Sequence, residues 1–504
     1  MGCRLGTRWY PCAPAVRPSR YSPPVPTPNL LHIATSAMRT HGLQPEFAPA
    51  VTVEASAAAP PAPDAAVRDL RSLAWFSIDN DDTQDLDQLS CADALPDGAT
   101  RLRVAIADVD ALAPRGSAVD GHAALNTTSV YTAAGVFPML PPVLSNDRTS
   151  LHEGQERLAV VVEMRVEDNG TVTQQRLYRA AVANQAKLSY DGVSRWLDGD
   201  GPRPAAAAAP RIEEQVRLHD GLATRLRQWR QRRGALDVRT TVARPVMAGG
   251  RLVDLRADDR NRAKDLIADV MIATNAATAR FLAESGSPSL RRFLQSPRRW
   301  DRLEALAAAL GTTLPPEPNA EALERFLVSQ RTRAPDGFAD LSLRVVKMLG
   351  SGSYVAVAPG APELGHFGLA VSDYAHSTAP NRRYPDLVTQ RLVKACLSGH
   401  APPYSQAELA GLARHCTLQE DNANKVERTV LKAAGAALLQ DRIGDTFDAI
   451  VTGAAPKGTY VRIAQPLLEG RLVRGLEGAD VGDALRVRLA EVDAAQGHID
   501  FERA

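Results

Sequence analysis

The chain has 504 residues, 44% of them hydrophobic and 23% charged, which is close to the globular average and disfavours whole-chain disorder, collagen and a long coiled coil. Lysine and arginine total 59 against 58 aspartates and glutamates, so a net charge of +1 provides no global field for a polyanion, and any nucleic-acid surface must be local. At roughly 150 residues per domain, the length predicts about three domains, or one large domain with appendages.

The cysteine content argues against a disulfide framework or a zinc site, because the residues are few, odd in number and widely spread. They are Cys3, Cys12, Cys91, Cys396 and Cys416. A reducing cytoplasm is therefore the predicted location. The chain also lacks an uninterrupted apolar run of about 18 residues, so we predict no transmembrane helix.

The N-terminal region is predicted to lie outside the folded domains. Residues 1–36 contain Arg and Pro but no acidic residue, and their short apolar patch lacks a signal-peptide core. We favour an upstream mis-start with Met38 as the natural beginning. Residues 47–66 are rich in Ala and Pro, which predicts an extended linker. Residues 1–67 are thus interpreted as a disordered or mis-annotated extension plus linker, and the first domain begins near Arg68.

The remaining elements follow from hydrophobic periodicity. Strands are predicted at 75–78, 101–109 and 158–166, with another alternating stretch after Gly170. A surface loop at 202–210 separates them from a series of helices, predicted at 211–233, 262–285, 299–310, 319–333 and 405–440. Residues 444–503 form short alternating stretches punctuated by Gly, typical of a small antiparallel β barrel.

The most informative segment is SIDNDDTQDLDQ at 77–88. Its carboxylates would repel one another at neutral pH unless solvent or a cation screened them; they are Asp79, Asp81, Asp82, Asp85 and Asp87. Oxygen donors of this kind suit Mg²⁺ or Mn²⁺, which can bind phosphate oxygens and activate water. A calcium-binding EF-hand loop would need Gly and Glu where the chain has Gln84 and Ser90. A solvated acidic loop without a ligand is the open alternative.

The same segment resembles the signature of the ribonuclease II, or RNB, family of 3′-to-5′ exoribonucleases. The resemblance continues in order from about residue 70 to 440, through RVAIADV (103–109), TSVYTAAG (128–135), AKLSYDGV (186–193), GHFGLAVSDYAHSTAPNRRYPDL (365–387) and VERTV (426–430). It implies an α+β fold: an RNB catalytic domain at 68–442, with a mixed sheet and packed helices, followed by an OB-type S1-like barrel at 443–504.

The resemblance also implies an active site. Asp79, Asp85 and Asp87 match three of the family's four active-site aspartates, whereas the fourth position holds Gln88. Its amide oxygen can still coordinate a metal but carries no charge. Either Asp81 or Asp82 compensates, or a metal binds more weakly, or activity is reduced.

Four further residues are implied by the matching motifs. Arg382 is expected to hold the scissile phosphate, Tyr131 to stack on a base, and Glu427 to lie near the terminal sugar. Arg383 is assigned to RNA binding, with a structural role as its alternative. The alternatives without a functional role are a helix-start arginine for Arg382, a buried tyrosine for Tyr131 and a solvent-exposed glutamate for Glu427.

Two arginine-rich stretches allow two interpretations. They contain Trp229 and Trp300 and could line a path for phosphates, or they could be solvated helix faces. The arginines are Arg225, Arg227, Arg230, Arg232 and Arg233, and Arg291, Arg292, Arg298 and Arg299.

Together these features and the resemblance predict an Mg²⁺-dependent (or Mn²⁺-dependent) exoribonuclease that acts on single-stranded RNA and releases nucleoside 5′-monophosphates, and the resemblance implies that it is a monomer. The alternative is a catalytically impaired RNB-fold protein that only binds RNA.

Overall fold

The computed structural model of the protein describes residues 29–238, 242–248, 251–258, 260–294, 297, 299–362, 364–455 and 458–504. Cys3, Cys12, Arg298 and most of the predicted 1–36 extension lie outside these residues. Cys91, Cys396 and Cys416 are free thiols.

In the part of the chain described before the sheet, residues 29–67, the helices are α1 (Leu30–Thr40) and α2 (Pro49–Ala57). The linker prediction is wrong for residues 49–57, because Val51 and Ala55 are buried in the main core and Glu54 accepts hydrogen bonds from the first amides of the helix at 118–126. Met38, the expected first residue of the protein, lies inside α1 and is fully buried. The helix begins at Leu30, eight residues before it. Ala- and Pro-rich composition therefore concealed a short, packed helix.

A seven-stranded mixed sheet forms the centre of the larger domain. Its strand order is β1-β8-β7-β4-β3-β2-β9, with parallel pairing at β1–β8 and β2–β9 and antiparallel pairing elsewhere. Apolar residues of β4, such as Val104 and Ile106, pair with Val162 and Val160 of β7 and are buried. The strands are β1 (Arg68–Asp69), β2 (Phe76–Asp79), β3 (Gln88–Ala94), β4 (Thr100–Ala107), β7 (Glu156–Val166), β8 (Val172–Ala183) and β9 (Ala186–Ser189); β5 (Val130–Thr132) and β6 (Gly135–Phe137) form a separate hairpin.

Among the described residues, helices occur near the predicted ranges 211–233, 262–285, 299–310, 319–333 and 405–440, and further helices that were not predicted occur at 118–126, 190–198, 338–349 and 384–397. They are α3 (Ala118–Asn126), α4 (Tyr190–Asp198), α5 (Ile212–Gln231), α6 (Arg262–Glu284), α7 (Trp300–Ala309), α8 (Ala320–Arg333), α9 (Phe338–Leu349), α10 (Tyr384–Leu397) and α11 (Gln406–Leu439). The helices between 300 and 349 share a hydrophobic cluster of their own. Two further strand pairs lie among the helices: β10 (Val242–Ala248) with β11 (Arg251–Asp258), and β12 (Ser289–Phe293) with β13 (Ser353–Val357).

Helix α6 is long and apolar enough, by length and composition, to cross a membrane, but 67% of its most apolar window is buried inside the structure. Leu266, Val270 and Ala277 are among its residues in the main hydrophobic core. The apolar character of α6 is therefore explained by its packing within the protein.

The C-terminal residues close into a five-stranded barrel in the order β14-β15-β16-β18-β17. Gly470 permits its close packing, because a Cβ there would lie 2.5 Å from the ring of Phe501. The predicted barrel is present, but it is not wholly antiparallel, since β16 and β18 pair in parallel. The strands are β14 (Thr446–Ala455), β15 (Gly458–Ala464), β16 (Leu467–Arg474), β17 (Ala484–Asp493) and β18 (His498–Arg503).

Helix α11 joins the two domains without a break. Its start has a capping box formed by Ser405 and Glu408. Val426 and Val430 pack against α1 and the β5 region, whereas Ala436 and Leu439 belong to the barrel core. With 34 residues it is about 50 Å long at 1.5 Å per residue.

Candidate active site

The acidic loop between β2 and β3 is held in shape by contacts to its backbone. The Lys187 ammonium donates to the carbonyls of Asp81 (3.1 Å) and Thr83 (2.6 Å). Ser150 Oγ donates to the carbonyl of Gln84 at 2.6 Å and accepts from the amide of Leu86 at 2.9 Å. The loop is therefore fixed by side chains from other parts of the fold.

Asp79 is the last residue of β2 and lies at the entrance to this loop. Its Oδ1 accepts hydrogen bonds from the amide of Asn80 (2.8 Å) and the hydroxyl of Thr83 (2.9 Å). Parallel pairing of β2 with β9 sets Asp79 opposite Ser189, directly before Tyr190, the first residue of α4. The carboxylate is therefore oriented by its own loop.

Asp87 lies at the end of the loop and is only 2% exposed. Its Oδ1 accepts a hydrogen bond from the backbone amide of Asn381 at 2.9 Å, and its Oδ2 lies 3.3 Å from Nε of Arg382. The Arg382 side chain remains 42% exposed. Two consecutive residues before α10 thus hold both oxygens of one buried carboxylate, while the guanidinium keeps access to solvent.

The electrostatics of the site reflect this burial. Burial raises the pKa of Asp87 to about 7, and Asp85 adds to the effect while Arg382 opposes it. Burial also raises the pKa of Asp85, and the nearby Asp79 contributes in the same direction. The three carboxylates therefore influence one another, and a cation that neutralised them would favour their ionised forms.

The chemistry of the donors fits a hard divalent cation, since Asp79, Asp85 and Asp87 offer only oxygen ligands. Within the described ranges, however, no three His, Cys, Asp or Glu side chains form a ready-made ligand cluster, so a bound cation would have to draw these carboxylates together. Gln88 begins β3, where its backbone pairs with Ile106, and its side chain is half-buried.

Asp81 and Asp82 are exposed, unlike Asp87. The Asp82 carboxylate is 78% exposed, and a salt bridge joins it to Arg244 at 3.8 Å. This arrangement does not favour either residue as a replacement for the missing fourth aspartate.

A cleft of about 1200 Å³ leads to Asp85, and Tyr131 and Glu427 lie in its wall. Tyr131 is 44% exposed, its hydroxyl donates to Asp85 Oδ2 at 3.4 Å, and its backbone amide donates to Glu427 Oε1 at 2.9 Å. Tyr131 is thus not a buried structural tyrosine. Glu427 is half-buried and accepts the hydrogen bond from the Tyr131 amide, so it is not a fully solvent-exposed glutamate. Lys425 and Arg428 lie in the same wall.

Arg383 does not join this group. Its guanidinium donates to Asp386 at 2.7 Å and to Thr378 at 3.4 Å, inside the protein. Asp386 is fully buried and also accepts from the amide of Ala379 at 2.8 Å. Arg383 therefore holds the turn before α10, and we do not assign it to RNA binding.

The arginine-rich stretches are largely engaged within the protein. Arg227 and Arg230 both pair with Asp269, which is 2% exposed, and Arg292 pairs with Glu420. Arg291 is itself 2% exposed and faces Asp373 at 3.9 Å. These four arginines are neither a phosphate path nor a solvated helix face.

Sequence reasoning missed three residues of the site. Lys187 supports the acidic loop, Asn381 donates to Asp87, and Tyr190 lies close enough to Asp79 and Arg382 for both charges to affect its pKa, which burial raises. Lys187 and Tyr190 fall inside the motif AKLSYDGV and Asn381 inside APNRRYPDL, so the available signal was their motif context.

Comparison with known proteins agrees with this architecture. The RNB domain family matches residues 67–399, and the RNase II-type exonuclease C-terminal S1 domain family matches residues 445–504. Ribonuclease R of Escherichia coli (strain K12) is 31% identical over 510 residues, covering 92% of this chain and 61% of that protein. The chain thus spans less than two thirds of the length of this relative.

Solved structures share the fold. Mycoplasma genitalium RNase R in complex with ribose methylated single-stranded RNA has a TM-score of 0.85 at 22% identity, over 94% of this chain and 78% of that one. Yeast Ssd1, described as a pseudonuclease, has a TM-score of 0.70 at 16% identity, over 94% of this chain and 59% of that one. The predicted family and fold class are confirmed. Because the RNB match covers about two thirds of its residues, the chain belongs to the RNB domain family.

Proposed function

We propose that the protein is a 3′-to-5′ exoribonuclease that hydrolyses single-stranded RNA to nucleoside 5′-monophosphates. The observation that carries the proposal is the position of Asp87, which is buried against Arg382 and close enough to Asp85, a residue of the cleft lining, for the Asp85 charge to raise its pKa. Buried carboxylates with raised pKa values next to an arginine are typical of functional sites. The family match supports the same activity.

A divalent cation, Mg²⁺ or Mn²⁺, is part of this proposal. Asp79, Asp85 and Asp87 would hold it, with the amide oxygen of Gln88 as a neutral fourth donor. Such a cation, when bound, activates water and neutralises phosphate charge.

The protein's own residues supply binding and charge stabilisation. The exposed part of the Arg382 guanidinium is free to fork onto phosphate oxygens and stabilise the charge that develops there. Tyr131 presents an exposed ring on which a base can stack, at about 1 to 3 kcal/mol per base and without reading sequence. Glu427 fixes the backbone of Tyr131 and presents a carboxylate to the terminal sugar.

The approach to the site is also suited to RNA. Lys425, Arg428 and Arg244 line the cleft and can neutralise phosphates, which makes binding dependent on salt. We further propose a monomer that works in the cytoplasm on single-stranded RNA.

The decisive experiment incubates the purified protein with a uniformly labelled single-stranded RNA in Mg²⁺, in Mn²⁺ and in EDTA. Stepwise 3′ shortening with release of nucleoside 5′-monophosphates, in metal only, is the expected result. The same products without added phosphate would separate hydrolysis from phosphorolysis.

The rival proposal is an RNA-binding protein without catalysis. Gln88 favours it, because the fourth anionic donor is lost, and the fold shared with Ssd1 is compatible with an inactive protein. Such a protein would shift the RNA in a gel under every condition and never shorten it.

A further inference from the structure

Asn381 lies between Asp87 and Thr149, which belongs to the segment before β7. Its backbone amide donates to Asp87 Oδ1 at 2.9 Å, and its side-chain Oδ1 lies 2.6 Å from the hydroxyl of Thr149. Asn381 and Thr149 are 1% and 4% exposed. The contact links residues that are 232 positions apart in the chain.

Thr149 is itself firmly placed. It follows the short π-helical turn Leu144–Arg148, and both its amide and its hydroxyl lie within hydrogen-bond distance of the carbonyl of Leu144, at 3.0 and 2.8 Å. A hydroxyl has one proton, so it donates either to Leu144 or to Asn381. If the hydroxyl donates to Leu144, the side-chain amide of Asn381 can be rotated by 180°, so that its NH₂ donates to the hydroxyl oxygen. The hydrogen bond between Thr149 and Asn381 therefore exists in both arrangements.

The side chain of Asn381 depends on this bond. Among the described residues, its Nδ2 has no hydrogen-bond partner, although it is buried. Thr149 therefore determines the orientation of the Asn381 side chain, and with it the position of the backbone amide that holds Asp87 and of the adjacent Arg382.

We propose that the Thr149–Asn381 pair is a positioning device that sets Asp87 and Arg382 for the reaction. The idea rests on the proposed function, because Asp87 and Arg382 are its reacting groups. Neither Thr149 nor Asn381 is expected to touch the RNA, so their loss should lower kcat and leave KM nearly unchanged.

The test is a double-mutant cycle on the full chain with Thr149→Val, Asn381→Leu and the pair together. Each single variant should lower kcat about five- to tenfold with KM changed less than twofold, and the double variant should be no worse than either single one. Thr149→Ser, which keeps the hydroxyl, should retain wild-type kcat. Thr389→Val is the matched control: it removes another buried hydroxyl, bonded to the carbonyl of Pro385 on α10, and should leave kcat within twofold.

Hydrogen exchange provides a readout that does not require activity. Amides in 377–384 should exchange faster in both single variants, with no further increase in the double variant. Multiplicative losses of kcat, an unchanged kcat with faster exchange, or unchanged exchange would each overturn the proposal. If the wild-type protein does not shorten RNA, the proposed function fails, and the exchange cycle alone decides whether the pair holds this segment.

Discussion

Replacing Asp87 by asparagine is expected to stabilise the metal-free protein while abolishing turnover. The pKa of Asp87 rises from 3.8 to about 7, mainly through burial. A carboxyl with a raised pKa favours folding when protonated, so its contribution is most favourable below pH 3.8 and is lost as the pH rises from 3.8 to 7. At about 1.4 kcal/mol per pKa unit, the ionised group costs about 4 kcal/mol of stability at pH 8 as an upper bound.

Asparagine removes this cost but introduces another. Its amide can still accept from Asn381, yet its NH₂ then faces the Nε–H of Arg382, so two donors meet. This mismatch lowers the free energy of unfolding by about 1 to 3 kcal/mol, so the expected net increase in the free energy of unfolding is about 1 to 3 kcal/mol.

Urea denaturation at pH 8 in EDTA measures the change. Asp386→Asn is the matched control: Asp386 is as deeply buried and also accepts from a backbone amide, that of Ala379, but Arg383 donates to it at 2.7 Å, whereas Arg382 lies 3.3 Å from Asp87. Its neutralisation should therefore destabilise the protein. Added Mn²⁺ should stabilise the wild type more than Asp87→Asn, and RNA affinity should stay within about threefold, well under the tenfold that 1.4 kcal/mol represents. A variant that is less stable than wild type in EDTA and also binds RNA poorly would refute the reasoning and make Asp87 a structural residue.

Three other changes have defined outcomes. Gln88→Asp should lower the Mn²⁺ concentration needed for half-maximal RNA shortening by at least about threefold, because it adds an anionic oxygen donor; an unchanged titration would mean that this position does not face the metal. Tyr131→Ala should weaken RNA binding about tenfold in fluorescence anisotropy, whereas Tyr131→Phe should bind like wild type because stacking needs only the ring; equal losses would instead point to the hydroxyl. Burial lowers the pKa of His219 to about 4, so folding stability should fall as the pH drops from 6.5 to 4, by up to about 3 kcal/mol, and His219→Leu should lose that dependence in urea titrations at pH 8 and pH 5. If the free energies of unfolding of His219→Leu and wild type differed by the same amount at both pH values, His219 would not be the source of the pH dependence.

The sequence predicted the chemistry of the site better than its support. Clustering drew attention to all five carboxylates of the loop, and the resemblance to the RNB family selected Asp79, Asp85 and Asp87 from them. Lys187 was missed although it lies inside the motif AKLSYDGV, because a lysine in a strand does not reveal its partners, and its contact with the acidic loop arises only when β9 pairs with β2. For Arg383 the sequence left RNA binding and a structural role open, and the contact with Asp386 matches the structural role, because only the fold directs Arg382 toward Asp87 and Arg383 toward Asp386.

Secondary structure was predicted well where hydrophobic periodicity is strong. Helix α6 was expected at 262–285 and spans Arg262–Glu284, and α11 was expected at 405–440 and spans Gln406–Leu439. Helix α2 was missed because Pro49 and several alanines resemble a linker, and its stability comes from tertiary contacts of Val51 and Ala55. The parallel β16–β18 pair was also beyond local patterns, since strand direction depends on the path of the chain.

The continuity of α11 sets a fixed spacing between the cleft and the barrel. Glu427 and Lys432, whose ammonium lies 5.8 Å from the ring centroid of Tyr460 in the barrel, are five residues apart on one helix, which is about 8 Å at 1.5 Å per residue. A ligand must exceed that span before it can touch both surfaces at once. The binding of oligonucleotides too short to reach both surfaces should therefore not change when the barrel is substituted. The shortest oligonucleotide whose binding does change would measure the spacing directly.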